Sequence, residues 1–241
     1  MKNWVYDEFK HCGVDYAEQA NAKSYDRQHQ KFRDYEKEFY QVLEFICLQG
    51  TKDLSVIDLG CGTGAFCLYA ARVFKKVYGI DVSEVMIGQA RRKVARENLS
   101  NITFIHAGFL GYRHEDSPVD LVITKWALHH LPDFWKQIAL SRINGMLKPG
   151  GALYISDVVY NFDEKKYRSK IDDFVAGFES RVSKEFRQEA ETHIREEYST
   201  CGWILEGILQ RAGFLIEKTQ THDEFTTEYH CVKTRDVECE E

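Results

Sequence analysis

Apolar positions along this chain follow two rhythms. Between residues 54 and 157, short runs rich in β-branched residues alternate with stretches in which apolar residues return every three or four positions. The runs Leu54–Asp58, Lys76–Asp81, Asn101–His106, Asp120–Thr124 and Ala152–Asp157 read as strands one to five. The stretches between them read as helices. In the helix over 133–147, Phe134, Ile138, Leu140, Ile143 and Leu147 are expected to face inward, and Lys148-Pro149-Gly150-Gly151 stops it. Strand–helix alternation of this kind predicts an α/β fold with a doubly wound, mostly parallel sheet. Two further strands follow: strand six after the helix stop Ala212-Gly213, and strand seven over Glu224–Lys233, alternating around Phe225, Thr227, Tyr229 and Cys231.

Two segments lie outside this alternation. Residues 1–50 are rich in aromatics, and from Ser24 to Leu48 the positions Phe32, Tyr35, Phe39, Val42, Leu43 and Ile46 predict a long amphipathic helix closed by Gly50. Residues 1–23 read as a short helix plus loop. Residues 158–200 predict two charged amphipathic helices, 163–180 and 183–196, with Ser199 or Thr200 as N-cap of a following helix, 201–211. The chain therefore divides within one domain into an N-terminal extension (1–50), a core (51–157), an insertion (158–200) and a C-terminal part (201–241).

Composition narrows the function. At 241 residues and 44% apolar, the chain can bury a full core. A net charge of −6 argues against a binder of nucleic-acid backbones, and no apolar run approaches the roughly 20 residues that span a bilayer. The start of the chain has no apolar signal region, so a cytoplasmic protein without membrane partner is expected. The seven cysteines are scattered and no pair has C-x-x-C spacing. Neither a disulfide framework nor a metal site is expected from them.

The chemistry concentrates at Val56-Ile57-Asp58-Leu59-Gly60-Cys61-Gly62-Thr63-Gly64-Ala65-Phe66. A buried strand runs into an acid, and glycines at alternate positions lead into a helix. Such a turn lets the backbone approach a ligand. A dinucleotide site would read G-x-G-x-x-G, whereas here the spacing is G-x-G-x-G. Strand two ends in Asp81, about twenty residues beyond the loop, where an acid accepts hydrogen bonds from ribose hydroxyls. Ser83 is placed to N-cap the next helix.

These residues resemble the class I S-adenosylmethionine (SAM)-dependent methyltransferases, whose first motif is hydrophobic-x-D-x-G-x-G-x-G. The resemblance extends to Lys125-Trp126-Ala127-Leu128-His129-His130-Leu131 after strand four and to the Leu-Lys-Pro-Gly-Gly turn before strand five. It implies a Rossmann-like seven-stranded sheet with an antiparallel C-terminal strand, a helical N-terminal extension over the cofactor and a helical cap from the insertion. It implies SAM as cofactor, with S-adenosylhomocysteine (SAH) as product. Asp58, Gly60, Cys61, Gly62 and Gly64 would hold the methionine end, Asp81 the ribose, and Val82 and Met86 the adenine, Met86 equally being a core residue. Thr124 and Lys125 follow at the end of strand four. The family usually carries Gly-Asp after strand three, and the acid takes the adenine amino group. Here Ala107-Gly108-Phe109 stands instead, so Gly108 and Phe109 flank the ring without that acid.

The acceptor side is less defined. His129 and His130 are candidates for proton transfer or substrate contact, since a histidine titrates near neutral pH. Tyr16, Tyr25, Trp126, His193, Arg195 and Tyr198 are candidates for the pocket wall. Enzymes acting on exocyclic base amines usually show Asn-Pro-Pro-Tyr after strand four, which Thr124-Lys125-Trp126-Ala127 does not match. The expectation is a small-molecule methyltransferase, monomer or homodimer, with O, N, S or C as attacking atom. A SAM-binding or nucleoside-binding regulatory module and a nicotinamide-dependent oxidoreductase are the rival readings.

Overall fold

The computed structural model describes residues 4–10, 12, 13, 33–181, 184–237 and 239. Its strands are β1 (Ser55–Leu59), β2 (Lys76–Asp81), β3 (Ile102–His106), β4 (Val119–Lys125), β5 (Leu147–Tyr160), the short β6 (Thr200–Cys201), β7 (Phe214–His222) and β8 (Thr226–Lys233). The helices are α1 (Tyr35–Phe45), α2 (Ala65–Val73), α3 (Glu84–Glu97), α4 (Asp133–Met146), α5 (Tyr167–Arg181), α6 (Lys184–Glu196) and α7 (Gly202–Arg211). The sheet order is β3-β2-β1-β4-β5-β8-β7, with β6 beside β5. β8 runs antiparallel to both β5 and β7, and the pairs among β1 to β5 are parallel.

Alternation within strands splits the core into two layers. Ile57, Ile80, Val122 and Leu153 pack with Leu140 and Ile143 of α4 and Leu205 and Leu209 of α7. Val56, Val77, Leu121 and Ile123 pack with Phe39 and Val42 of α1, Ala70 of α2 and Ile87 of α3. Because both faces are covered, β1 and β4 are buried at almost every position. The strand order reverses between β1 and β4, and their carboxyl ends open a crevice there.

Local signals explain most boundaries. Ser83 caps α3, its hydroxyl accepting from Met86 N–H at 3.3 Å, and Asp34 caps α1 through Lys37 N–H at 3.0 Å. Several details differ from the sequence reading. The described helix of the N-terminal extension is shorter, 35–45, and residues 24–32 lie outside the described part. Phe134 is 66% exposed rather than inward, its ring set edge-on to Trp135. Residues 148–151 stay in strand β5 as an irregularity opposite Val119 and Leu121, with Gly150 at φ +74°. Neither Ser199 nor Thr200 caps α7. Cys201 holds that place without a side-chain bond, while Thr200 donates to Asp133 at 3.0 Å and Ser199 Oγ lies 2.7 Å from His193 Nε2.

Candidate active site

The ends of β1, β2 and β4 line one cavity of about 280 Å³. Its floor is the glycine loop. Gly60 and Cys61 N–H groups donate to Ile80 O at 2.8 and 3.0 Å, which ties the loop to β2. Gly60, Gly62 and Gly64 all have positive φ, at +78°, +52° and +74°. Their roles differ. A Cβ on Gly60 would lie 2.3 Å from Ala127 Cβ, and one on Gly64 2.8 Å from Ala90 Cβ, so these two are packing glycines. A Cβ on Gly62 would meet nothing within 4 Å.

Two buried acids stand beside the loop. Asp58 is 4% exposed, and burial pushes its carboxyl up to about 7. Asp81 accepts from Gly62 N–H at 2.7 Å and Ser83 N–H at 2.8 Å, one bond to each oxygen, and each oxygen keeps a second lone pair. Val82, Met86 and Phe109 supply apolar surface next to it. At the end of β4, Lys125 donates to Glu38 at 3.0 Å, and Arg33 donates to the same carboxylate. Burial would raise the Glu38 carboxyl, but the Arg33 hydrogen bonds and the Lys125 charge outweigh it and hold it at about 2. Trp126 follows with φ +55° and 41% exposure.

The N-terminal segment closes the other side. Tyr6, Glu8, Phe9, Lys10 and Cys12 line the cavity. Tyr6 donates to His130 O at 3.0 Å, and Phe9 meets His106 edge-on. Glu8 accepts from Leu110 N–H at 2.9 Å and Gly111 N–H at 2.7 Å. Its Oε2 lies 2.3 Å from where a Cβ on Gly108 would be. Burial raises the Glu8 carboxyl, against the lowering effect of those backbone bonds.

Behind the wall carrying His130 lies a polar cluster. His129 is 6% exposed, with Nδ1 bonded to Asp157 Oδ1 and Nε2 3.2 Å from Glu197 Oε2. Burial would lower this imidazole, but the Asp157 and Glu197 carboxylates outweigh it and push it up to about 9. Burial and the charge on His129 push His130 down to about 4.

Of the sequence candidates, Asp58, Gly60, Cys61, Gly62, Asp81, Val82, Met86, Gly108, Phe109, Lys125, Trp126 and His130 line the cavity. Gly64 does not, because it packs on α3, and Thr124 does not, being fully buried one residue before Lys125. His129 sits behind His130. His193 is bound to Glu197 away from the lining, Arg195 is an exposed partner of Glu196, and Tyr198 packs edge-on against Tyr6. Tyr16 and Tyr25 lie outside the described residues. Among the described residues, no side chain of 158–200 lines the cavity. Helices α5 and α6 pack elsewhere, with Phe174 stacked on Phe225 at 4.0 Å. Sequence reasoning missed Glu8, Arg33, Glu38, Asp157 and Glu197. Only α1's periodicity hinted at any of them, since Glu38 precedes its buried Phe39.

Comparison with known proteins agrees with this geometry. A family model described as a methyltransferase domain matches residues 56–151. An uncharacterized methyltransferase of Geobacillus kaustophilus is 30% identical over 198 residues, covering 80% of this chain and 85% of that protein. The structure of a SAM-dependent methyltransferase from Aquifex aeolicus superposes with a TM-score of 0.61 at 21% identity, covering 90% of this chain and 98% of the other. That of the magnesium protoporphyrin IX methyltransferase from Synechocystis PCC 6803, with bound SAM, gives 0.61 at 19% identity, covering 96% and 100%.

Proposed function

Because the chain belongs to the class I SAM-dependent methyltransferases, we propose that the cavity over β1, β2 and β4 is where it methylates a small-molecule acceptor. The chain is an enzyme and its cofactor is SAM. One observation carries the reading. A single cavity runs from Asp58 and the glycine loop past Asp81 to Glu8 and Gly108, and also reaches Trp126 and His130.

The residues present fit the cofactor. Asp58 is a buried carboxylate that, among the described residues, has no cation hydrogen-bonded to it, which suits the ammonium of a methionine group. Asp81 has one lone pair free on each oxygen for two ribose hydroxyls. Gly62 leaves open space where any side chain would intrude. Glu8 takes the place of the acid missing after β3 and accepts from the adenine amino group, between the apolar faces of Val82 and Phe109.

When bound, SAM would supply a methyl group activated by the sulfonium: a nucleophile would bond to the methyl carbon in line as the carbon–sulfur bond breaks and SAH leaves. The protein's contribution is positioning, worth up to about 7–11 kcal/mol when reacting atoms are held in attack geometry. Trp126, Tyr6 and His130 form the wall on the acceptor side. His130 stands on the acceptor side of the cavity, with the His129 ring 4.4 Å behind it. The N-terminal segment excludes water through Tyr6 and Phe9.

The test is SAH release from SAM with purified enzyme and a cell extract split by ultrafiltration. Turnover with the low-mass filtrate supports the reading. Turnover only with the retained protein or nucleic acid contradicts it.

A further inference from the structure

Methyl transfer as described leaves the cluster behind His130 unexplained. Asp157 is fixed by three backbone bonds, accepting from Leu128 N–H at 2.9 Å, His129 N–H at 3.2 Å and Val158 N–H at 2.7 Å. It in turn fixes the His129 ring through Nδ1, so Nε2 points to the opposite side. There Glu197 Oε2 stands 3.2 Å away, and the His130 ring lies with its centroid 4.4 Å from that of His129. One donor atom from each of His129, His130 and Glu197 falls within 4.8 Å of the others. Among the described residues, the His130 imidazole has no hydrogen-bond partner, and the residue is partly buried at the cavity wall. His193 Nδ1 bonds to the same Oε2 of Glu197, and Gly13 leaves its Oε1 room that a side chain would fill.

We propose that His129, His130 and Glu197 bind a divalent transition-metal ion, with an open coordination position toward the cavity. Two imidazoles and one carboxylate form the donor set of catalytic zinc and non-haem iron sites. The 3.2 Å between His129 Nε2 and Glu197 Oε2 is near the spacing of two ligands bound to one ion at about 2.0–2.1 Å. The carboxylate behind His129 is the partner a ligating histidine needs to hold its tautomer and orientation. Charge points the same way. Asp157 and Glu197 bring two carboxylates into a site shared with the imidazoles of His129, His130 and His193, and a divalent ion there balances them. Spacing in the sequence hides the set, because its members come from the turn after β4 and the end of α6.

The ion's role rests on the reading of the cavity as the methylation site. His130 forms part of the cavity wall, so an oxygen or nitrogen of the acceptor coordinated at the open position is oriented toward the methyl donor. If that atom carries a proton, coordination also makes it easier to remove. Binding of the ion itself requires neither SAM nor an acceptor.

The experiment uses the full chain without affinity tag, stripped with a chelator and dialysed. Titration with Co²⁺ is followed by visible absorption, and titration with Zn²⁺ by calorimetry. The expected result is one saturable site with ligand-field bands of a nitrogen–oxygen set. His130→Ala and Glu197→Gln should each weaken Zn²⁺ binding at least about tenfold. Circular dichroism checks that both variants fold, and His130, at the cavity wall, is the milder change. A featureless Co²⁺ titration, or unchanged Zn²⁺ affinity in both variants, overturns the proposal. SAM calorimetry on the same wild-type sample separates this outcome from failure of the methyltransferase site.

Discussion

The carboxylate of Glu8 stands where a side chain on Gly108 would begin, with Oε2 2.3 Å from that Cβ position. The N-terminal segment thus carries a charge to the end of β3, where the chain's own loop has none. If Glu8 accepts from the adenine amino group, Glu8→Gln should weaken SAH binding about tenfold or more, the range for a hydrogen bond to a charged acceptor. Calorimetry with S-inosylhomocysteine, which has a carbonyl in place of the amine, isolates the contact. Wild type should prefer SAH, and Glu8→Gln should lose most of that preference.

Asp58 should couple cofactor binding to protons. Burial holds its carboxyl at about 7, so near neutral pH the free enzyme is a mixture of charged and neutral forms. A ligand ammonium favours the carboxylate. Binding below pH 7 therefore releases a proton, and affinity should fall by up to about tenfold per pH unit. Calorimetry of SAH binding from pH 8 to pH 5.5 checks this, and Asp58→Asn should remove the slope. The same shift has a stability consequence. A carboxyl raised above its unfolded value favours the fold at low pH and loses that contribution as pH rises toward 7.

Glu38 works in the opposite sense. Its carboxyl is held at about 2 by Arg33 and Lys125, below its unfolded value of 4.5. Its contribution is present above pH 4.5 and is lost as pH falls toward 2. Acid unfolding followed by circular dichroism should be less steep over that range in Glu38→Gln. That variant should also be less stable at pH 7 by about 1–3 kcal/mol, because Lys125 loses its carboxylate partner.

The glycines of the loop should separate by function. Gly60→Ala places a Cβ 2.3 Å from Ala127 Cβ at φ +78°, and should cost several kcal/mol in urea unfolding, on the order of 2–4. Gly62→Ala meets open space at φ +52° and should cost only about 1–2 kcal/mol in stability. Its larger effect should fall on SAM affinity, since the added methyl enters the cavity.

What the sequence made legible was local. The glycine loop, the acid ending β2 and the Ser83 cap are each set by residues within a few positions, so their types and spacing suffice. The parallel part of the sheet followed from strand–helix alternation, and the antiparallel β8 from the family resemblance. Relations between distant segments were not legible. Glu8 meets Gly108, and Glu197 meets His129, only because the fold folds the ends of these segments together. The amphipathic pattern of 158–200 predicted its helices and the family resemblance implied a cavity cap, yet such a pattern shows only that one face is covered. Phe174 finds its cover on Phe225. Phe134 failed for the same reason: an apolar side chain in a helix need not face the core.

The most direct test is calorimetry of SAM, SAH and NADH on wild type and Asp81→Ala. The account expects micromolar SAM and SAH binding, no NADH binding, and at least about a tenfold loss in Asp81→Ala from two missing ribose hydrogen bonds. SAM affinity unchanged in Asp81→Ala, or NADH bound more tightly than SAM, would contradict it.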